Sequence, residues 1–348
     1  MIKQEIKLSI IIPMHNVAPY VARCLQSLAN QDISYEDYEI ICINDGSPDN
    51  CSEVVRGLQK EIPNIILLEQ ENQGVSMARN NGIAIAKGKY LVIIDPDDYV
   101  EVNSFKKILE NAYHDDLDVF VLGYRFLNDD NSTRINVTYI ENANKVYNGC
   151  ISYFICLGNG LTDPNRLVAM LFKNEFFKNN DLSYLHNVPY LEDGELMVRI
   201  MALAQKCGFD DKIFYYRTTR AGSATNSNLV YSDKAINGFF LSAKNLIKFK
   251  ENKCQTESQI HLLNHGIVKY VTTPINVILS TYNSYSKALA LYKYAKIHIA
   301  AKLDLDGCNR TNQIFGKGYN HSFLLFLFSR EYYYLIERLK FYKSRLKS

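Results

Sequence analysis

Three short polar clusters follow three apolar segments in the first hundred residues, and their side chains are of types that bind nucleotides and cations. The clusters are Pro13-Met14-His15-Asn16, Asn44-Asp45-Gly46-Ser47 and Asp95-Pro96-Asp97-Asp98. A base is recognised through a carboxylate or amide that accepts its N–H, and a pyrophosphate is neutralised by a divalent cation on oxygen ligands. Asp95 and Asp97 therefore predict a magnesium or manganese site beside a diphosphate.

Gly74 and Arg79 add groups that bind phosphate. Gly74 precedes a predicted helix whose first N–H groups can donate to an anion, and Arg79 can reach across the strand ends. No Gly-x-Gly-x-x-Gly motif and no Walker lysine loop is present, which argues against a dehydrogenase and an NTPase. Each cluster alone is also explained by a solvated turn, but three of them in register after apolar strands favour a binding site.

The elements that must position these clusters alternate between strands and helices. Apolar runs predict strands at residues 8–12, 38–43, 64–68 and 89–94, and helical spacing predicts a helix at 75–86. This order is typical of an α/β fold with a parallel sheet wrapped by helices. Because ligands bind beyond the carboxyl ends of such strands, we expect the three clusters to meet in one crevice.

The remainder of the chain gives weaker signals. Helices are predicted at residues 104–113 and 191–204, strands at 118–124 and 212–216, and a mostly helical chain from about 232. We expect three parts: a donor-binding half at 1–100, an acceptor-binding half at 101–225 and a helical C-terminal region at 226–348.

Composition limits the function classes. The chain has 348 residues, 47% of them hydrophobic, which is enough for a sizeable core. A net charge of +2 argues against a nucleic-acid partner. The eight cysteines form no C-x-x-C pair and have no histidine at zinc spacing, so we expect reduced packing residues in a cytoplasmic protein. The apolar runs 8–12 and 323–328 are too short for a signal peptide or a membrane span.

Residues 8 to 100 resemble the donor half of glycosyltransferase family 2, whose members are inverting enzymes of the GT-A fold. The matching motifs lie at residues 9–16, 43–49, 71–82, 88–90 and 95–98, and the run at 71–82 is the most specific of them. The resemblance implies a UDP-sugar donor, a Mn²⁺ or Mg²⁺ ion and inversion at the anomeric carbon. Bacterial relatives commonly build surface glycans, which implies a glycan or lipid-linked acceptor.

The resemblance assigns donor-site roles position by position. It places Pro13 and His15 in the uridine pocket, with Asn16 among the nucleotide-binding residues, and it assigns Asp45 to the uracil. The same comparison makes Asp95 a contact of the ribose or the diphosphate.

Asp97 would hold the metal ion in this resemblance. One departure from the family pattern is Asn44, which stands where the family usually has a second acidic residue. The motif therefore leaves open which nucleobase the donor carries.

Glu192 and Asp193 open a predicted helix and resemble the Glu-Asp pair of this family, whose aspartate is the catalytic base. Displacement at an anomeric carbon needs one base to take the acceptor proton while a metal stabilises the departing diphosphate. The resemblance makes Asp193 the base and Glu192 its support. The alternative is that both acids only favour a helix N-terminus.

The loop at 215–223 resembles a basic, glycine-containing loop that closes over the diphosphate in relatives. Arg217 and Ser223 would then stabilise charge on the leaving group. The alternative is that Arg217 is an ordinary exposed side chain.

A basic, amphipathic helix is predicted at the C-terminus. Its apolar stripe comprises Tyr332, Leu335, Leu339, Tyr342 and Leu346. Such a helix either lies on an anionic membrane surface at the inner face of the plasma membrane or packs on the domain as a cap. The sequence leaves both open.

Two rival functions are a nucleotidyltransferase and a non-catalytic sugar-nucleotide-binding protein. The first would show a glycine- and basic-rich loop after its first strand, which Pro13-Met14-His15-Asn16 is not. The second is opposed by the joint presence of Asp97 and Asp193.

Overall fold

The computed structural model describes residues 5–128, 130–158, 166–219, 228–281 and 284–345. The chain divides into two compact units, one before and one after the boundary between Ser227 and Asn228. In the described residues, all strands belong to the first unit, and the second unit is helical.

The first unit is built on one mixed sheet. Its described strands are β1 Leu8–Met14, β2 Tyr38–Asp45, β3 Ile65–Gln70, β4 Tyr90–Ile93, β5 Tyr99–Val100, β6 Val119–Leu127, β7 Thr133–Val137, β8 Met170–Lys173 and β9 Cys207–Arg217. Their order is β3-β2-β1-β4-β8-β6-β9-β5, with β7 paired to β6. The first four strands in this order are parallel, whereas β8 runs antiparallel between β4 and β6.

The strands β1 to β4 lie where the sequence predicts them. All seven residues of β1 are buried, which fits a parallel strand covered by helices on both faces. Its register with β2 and β4 brings the polar segments that follow these strands to one edge of the sheet. The predicted α/β fold class is therefore confirmed, with a mixed rather than wholly parallel sheet.

Seven helices are described in the first unit. They are α1 Ala18–Ala29, α2 Cys51–Leu58, α3 Val75–Ile85, α4 Phe105–His114, α5 Gly149–Gly158, α6 Asn174–Asn179 and α7 Glu192–Leu203. Helix α3 packs directly on the sheet, because a Cβ at Gly82 would come within 2.6 Å of Ile11 Cγ2. This close approach packs the second half of α3 against β1 and β2.

Helix α7 begins after a residue in an uncommon backbone conformation. Leu191, at its N-cap, has φ +59°, in the left-handed region that is costly for a branched side chain. The turn that it makes brings Glu192 and Asp193 into the first turn of α7. Such local strain is typical of positions where function fixes the backbone.

The second unit consists of long helices in its described residues. They are α8 Asp233–Lys253, α9 Glu257–Thr281, α10 Tyr285–His298, α11 Arg310–His321 and α12 Phe323–Arg345. Helix α12 packs on α11 through Phe315, whose ring lies 6.0 Å from that of Phe326. Among the residues described, none of the helices combines the length and the apolar character needed to cross a bilayer.

Candidate active site

The first two polar clusters interlock at the ends of β1 and β2. His15 Nδ1 lies 3.1 Å from the carbonyl oxygen of Asp45, and the Asn16 N–H donates to Ser47 Oγ at 2.7 Å. Pro13 is buried within β1, whereas His15 and Asn16 are exposed at its end. The structure thus brings together the residues predicted for the nucleotide, and their contacts with a base stay a prediction.

Asn44 forms hydrogen bonds within the second cluster and to helix α2. Its Oδ1 accepts from the Ser47 N–H at 2.9 Å, and its Nδ2 donates to Ser52 Oγ at 2.7 Å. An amide can donate and accept hydrogen bonds, whereas an ionised carboxylate can only accept them. Asn44, which replaces the acidic residue usual in the family, therefore has a structural role here. Asp49 also accepts hydrogen bonds in this cluster. Burial acts to raise its pKa, but hydrogen bonds from the Ala18 N–H, Ser47 and Cys51 lower the pKa to about 2.

Asp45 fixes the segment that leads into α3. Its buried carboxylate accepts from the N–H groups of Gln73 at 2.8 Å and Gly74 at 2.9 Å, and from Gln70 Nε2 at 2.8 Å. The Gly74 N–H donates to Asp45 because the helix start lies directly over the end of β2, and its contact with phosphate stays a prediction. The contact of Asp45 with a nucleotide stays a prediction.

The third cluster ties the end of β4 to the end of β9. Asp98 is buried and accepts from Tyr215 OH at 2.6 Å and from the Thr218 N–H at 2.7 Å. Burial raises the pKa of Asp98, and the nearby Asp95 and Asp97 carboxylates raise it further. No role was predicted for Asp98 or Tyr215, because the two residues lie 117 positions apart in the sequence.

Asp95 and Asp97 are the partly exposed carboxylates of the third cluster. The Asp97 carbonyl oxygen accepts from Arg23 at 2.7 Å and from Thr218 Oγ1 at 2.8 Å, which fixes its backbone. In the described part of the chain, no group of three or more His, Cys, Asp and Glu side chains could by itself hold a metal ion. A nucleotide-bound Mg²⁺ needs only one or two carboxylates and takes phosphates and waters as its other ligands, so this pair fits such an ion.

Arg79 lies at the centre of the site and is almost fully buried. Its guanidinium binds Asp95 at 3.0 Å, Glu192 at 2.9 Å and Asp193 at 3.1 Å. Burial opposes the charge of Arg79, but Asp193 and the other carboxylates outweigh it and raise its pKa. The Nη1 and Nη2 groups of Arg79 donate to carboxylates, whereas its Nε has no partner among the described residues. The contact of Arg79 with phosphate stays a prediction.

Asp193, in the first turn of α7, is linked to Arg79 on α3. Its Oδ1 accepts from Arg79 and also from Tyr184 OH at 2.9 Å. Burial raises the pKa of Asp193, while the Arg79 cation acts in the opposite direction. The role of Asp193 as a general base stays a prediction.

Two further arginines lie near this cluster. Arg217 ends β9, with its guanidinium 4.8 Å from the ring centre of Phe126, and the predicted partner Ser223 lies outside the described residues. Burial lowers the pKa of Arg166, and the neighbouring Arg217 lowers it further, which indicates two cations close together. Arg166 was missed because no motif surrounds it.

The mixed sheet, with polar clusters at the ends of β1, β2 and β4 and a Glu-Asp pair at the start of α7, has the architecture of the GT-A fold. Residues 9–160 match the family model described as Glycosyl transferase family 2. Residues 9–160 therefore carry a domain of this family, as the motifs within them predict.

Similar proteins include two from Bacillus subtilis (strain 168). The Uncharacterized glycosyltransferase EpsJ is 30% identical over 225 residues, which cover 60% of each chain. The Minor teichoic acid biosynthesis protein GgaB is 25% identical over 82% of this chain and 31% of its own length. The aligned region thus spans less than two thirds of either relative.

Among solved structures, S. aureus TarS 1–349 in complex with UDP-GlcNAc superposes with a TM-score of 0.70 at 17% identity. The superposition covers 95% of this chain and 92% of that one. This likeness confirms the GT-A fold.

Proposed function

We propose that the protein is an inverting glycosyltransferase that moves a sugar from a UDP-sugar to a hydroxyl of a glycan or lipid-linked glycan during bacterial surface-polysaccharide synthesis. The observation that carries this proposal is the Arg79 guanidinium, which binds Asp95 at the donor-site edge and Asp193 in the acceptor half. A base is thereby held beside the strand ends where a nucleotide-sugar would bind.

The names of similar proteins support the donor and the acceptor class. S. aureus TarS was crystallised in complex with UDP and with UDP-GlcNAc. GgaB is named for minor teichoic acid biosynthesis, and a Poly(ribitol-phosphate) beta-glucosyltransferase is 40% identical over 96 residues, 27% of this chain and 15% of its own length. A nucleoside-diphosphate sugar and a surface polymer are the substrates that we infer for this chain.

In the proposed reaction, the Asp193 carboxylate accepts the proton of the acceptor hydroxyl. The hydroxyl oxygen forms a bond to the anomeric carbon on the face opposite the nucleotide, the bond from that carbon to the diphosphate oxygen breaks, and UDP leaves with its electron pair. One displacement inverts the configuration. Glu192 shares Arg79 with Asp193 and so holds the start of α7 in place.

Asp95 and Asp97 are the side chains that we propose for Mn²⁺ or Mg²⁺. Such an ion supplies charge neutralisation to a departing diphosphate. His15, Asn16 and Asp45 are proposed to bind the nucleotide at the ends of β1 and β2.

We also propose peripheral contact of α12 with the cytoplasmic membrane surface. At 100° per residue, Leu324, Phe328, Leu335 and Leu339 fall within an arc of about 60° on this helix. Each of them is more than half exposed. Arg338 is exposed beside this stripe, and the sequence adds further lysines and arginines to residue 347, a charge that suits anionic headgroups.

Thermal unfolding with a panel of nucleotide-sugars, with and without Mn²⁺, tests the donor assignment. Ligands that bind the native state raise the apparent stability. We expect UDP-sugars to raise Tm, more so with Mn²⁺, and GDP- or CMP-sugars to have little effect. A panel in which no UDP-sugar changes Tm would contradict the proposed donor.

A further inference from the structure

Tyr184 lies in the loop between α6 and α7, and its side chain reaches the proposed base. Its hydroxyl donates to Asp193 Oδ1 at 2.9 Å, and its ring lies 5.2 Å from the Arg79 guanidinium carbon. Only 3% of Tyr184 is exposed, so this hydrogen bond is shielded from water. A shielded bond to a carboxylate constrains its orientation more strongly than an exposed one.

Asn80, which directly follows Arg79 on α3, holds the backbone of Tyr184. Asn80 Nδ2 donates to the Tyr184 carbonyl at 2.9 Å, and Asn80 Oδ1 accepts from the Tyr184 N–H at 2.8 Å. These two bonds fix both polar groups of one residue in a loop that has no regular structure. Two neighbouring residues of α3 therefore act on Asp193, one directly and one through Tyr184.

The other side of the loop is fixed by a buried ion pair. Arg199 on α7 donates to the Ser183 carbonyl at 2.7 Å, and Glu195 binds Arg199 through both carboxylate oxygens at 2.8 Å. The loop is thus held by α3 on one side and by α7 on the other. Tyr184 has little freedom to leave Asp193.

We propose that Tyr184 is a positioning residue of the glycosyl transfer, that its hydroxyl holds the Asp193 carboxylate in place to take the acceptor proton, and that Asn80 fixes Tyr184. This inference rests on the proposed function of Asp193. A hydrogen bond donated to the ionised carboxylate also favours that form, so its loss makes the base protonate at higher pH. The charged and polar groups that face Asp193 are Arg79, Glu192, Asp95, Arg166, Tyr184 and the Leu167 N–H.

The experiment compares Tyr184→Phe with Tyr38→Phe in the full chain. Tyr38 is equally buried in the same unit and its hydroxyl donates to the Leu28 carbonyl at 3.0 Å, away from the site. We expect Tyr184→Phe to lower kcat roughly ten-fold, since hydrogen bonds to charged groups are among the stronger ones. The acid limb of its kcat profile should move up by roughly one pH unit, with donor KM nearly unchanged.

Tyr38→Phe should lower Tm to a similar extent and leave the kcat profile in place. Asn80→Ala should reproduce the kcat loss, and the variant with both Asn80→Ala and Tyr184→Phe should lose no more than the larger single loss. A wild-type kcat and acid limb in Tyr184→Phe would overturn the role of Tyr184. If the kcat losses of the two single variants multiply in the double variant, Asn80 does not act through Tyr184. If Asp193→Asn also kept the wild-type rate, the proposed base itself would have failed.

Discussion

Arg79 and Asp193 lie 114 positions apart in the sequence and form a salt bridge of 3.1 Å in the interior of the first unit. The same guanidinium binds Asp95 and Glu192, so three carboxylates share one buried cation. Buried charges of this kind are tolerated only while all partners are present. We therefore expect the loss of one member of this cluster to lower the stability of the fold as well as the rate of catalysis.

Replacement of Arg79 by Met tests this dependence. Met has a similar length and no charge, so three carboxylates are left together without their cation. We expect the free energy of unfolding to fall by about 3–5 kcal/mol at neutral pH, as for other broken buried pairs. Urea unfolding followed by circular dichroism measures this loss.

The pH dependence of that loss has a defined sign. Without the cation, burial and mutual repulsion raise the pKa of the carboxylates above their unfolded values, so their penalty grows as pH rises and is relieved as pH falls. The difference from wild type should be larger at pH 8 than at pH 5.5. Arg56→Met, which breaks an exposed pair with Glu69, is the control and should lower the stability far less. Equal losses in both variants would contradict a central role for Arg79.

The metal site is tested by Asp97→Ala and by chelation. The partly exposed carboxylate at 97 is proposed to hold the cation, so the variant should lose transfer while Tm stays near the wild-type value. Asp211→Ala, at an exposed position of β9, should keep full activity and serves as the control. Initial rates are measured across a Mn²⁺ titration. Full activity of the wild-type chain in excess EDTA would contradict a metal-dependent reaction.

The membrane surface of α12 is tested by Leu335→Glu together with Leu339→Glu. Both side chains are more than half exposed, so the charges should not disturb the core. Flotation with vesicles of anionic phospholipid should show loss of binding, because two carboxylates enter the apolar stripe. Ile140→Glu adds a carboxylate at another exposed apolar side chain and should leave binding unchanged. If the variant with Leu335→Glu and Leu339→Glu floats with the vesicles as well as the Ile140→Glu control does, the proposed membrane contact is refuted.

The donor half of the fold was predictable because its signals are local. Strands β1 to β4 read as apolar runs, and each polar cluster directly follows its strand in the sequence. Parallel pairing then brings the clusters together without further information. The left-handed start of α3 at Gly74, with φ +87°, also follows from a residue type that tolerates it.

The links between distant parts of the chain were not predictable in the same way. Strand β8 has only four residues, too few for periodicity to separate a strand from a helix. The salt bridges of Arg79 with Glu192 and Asp193 were not predicted, because the sequence does not show that these two acids fold over it. Tyr184 lies in a loop without a motif, and its role depends on contacts with α3.

The proposed base is the central claim, and Asp193→Asn tests it most directly. The amide keeps the size of the side chain but cannot take a proton, so transfer should fall by roughly 10²–10⁴-fold, the usual contribution of a general base. UDP-sugar affinity should stay near the wild-type value, and Glu192→Gln should cost less. The measurement is the single-turnover rate of sugar transfer at saturating donor. A wild-type rate in Asp193→Asn would contradict the account.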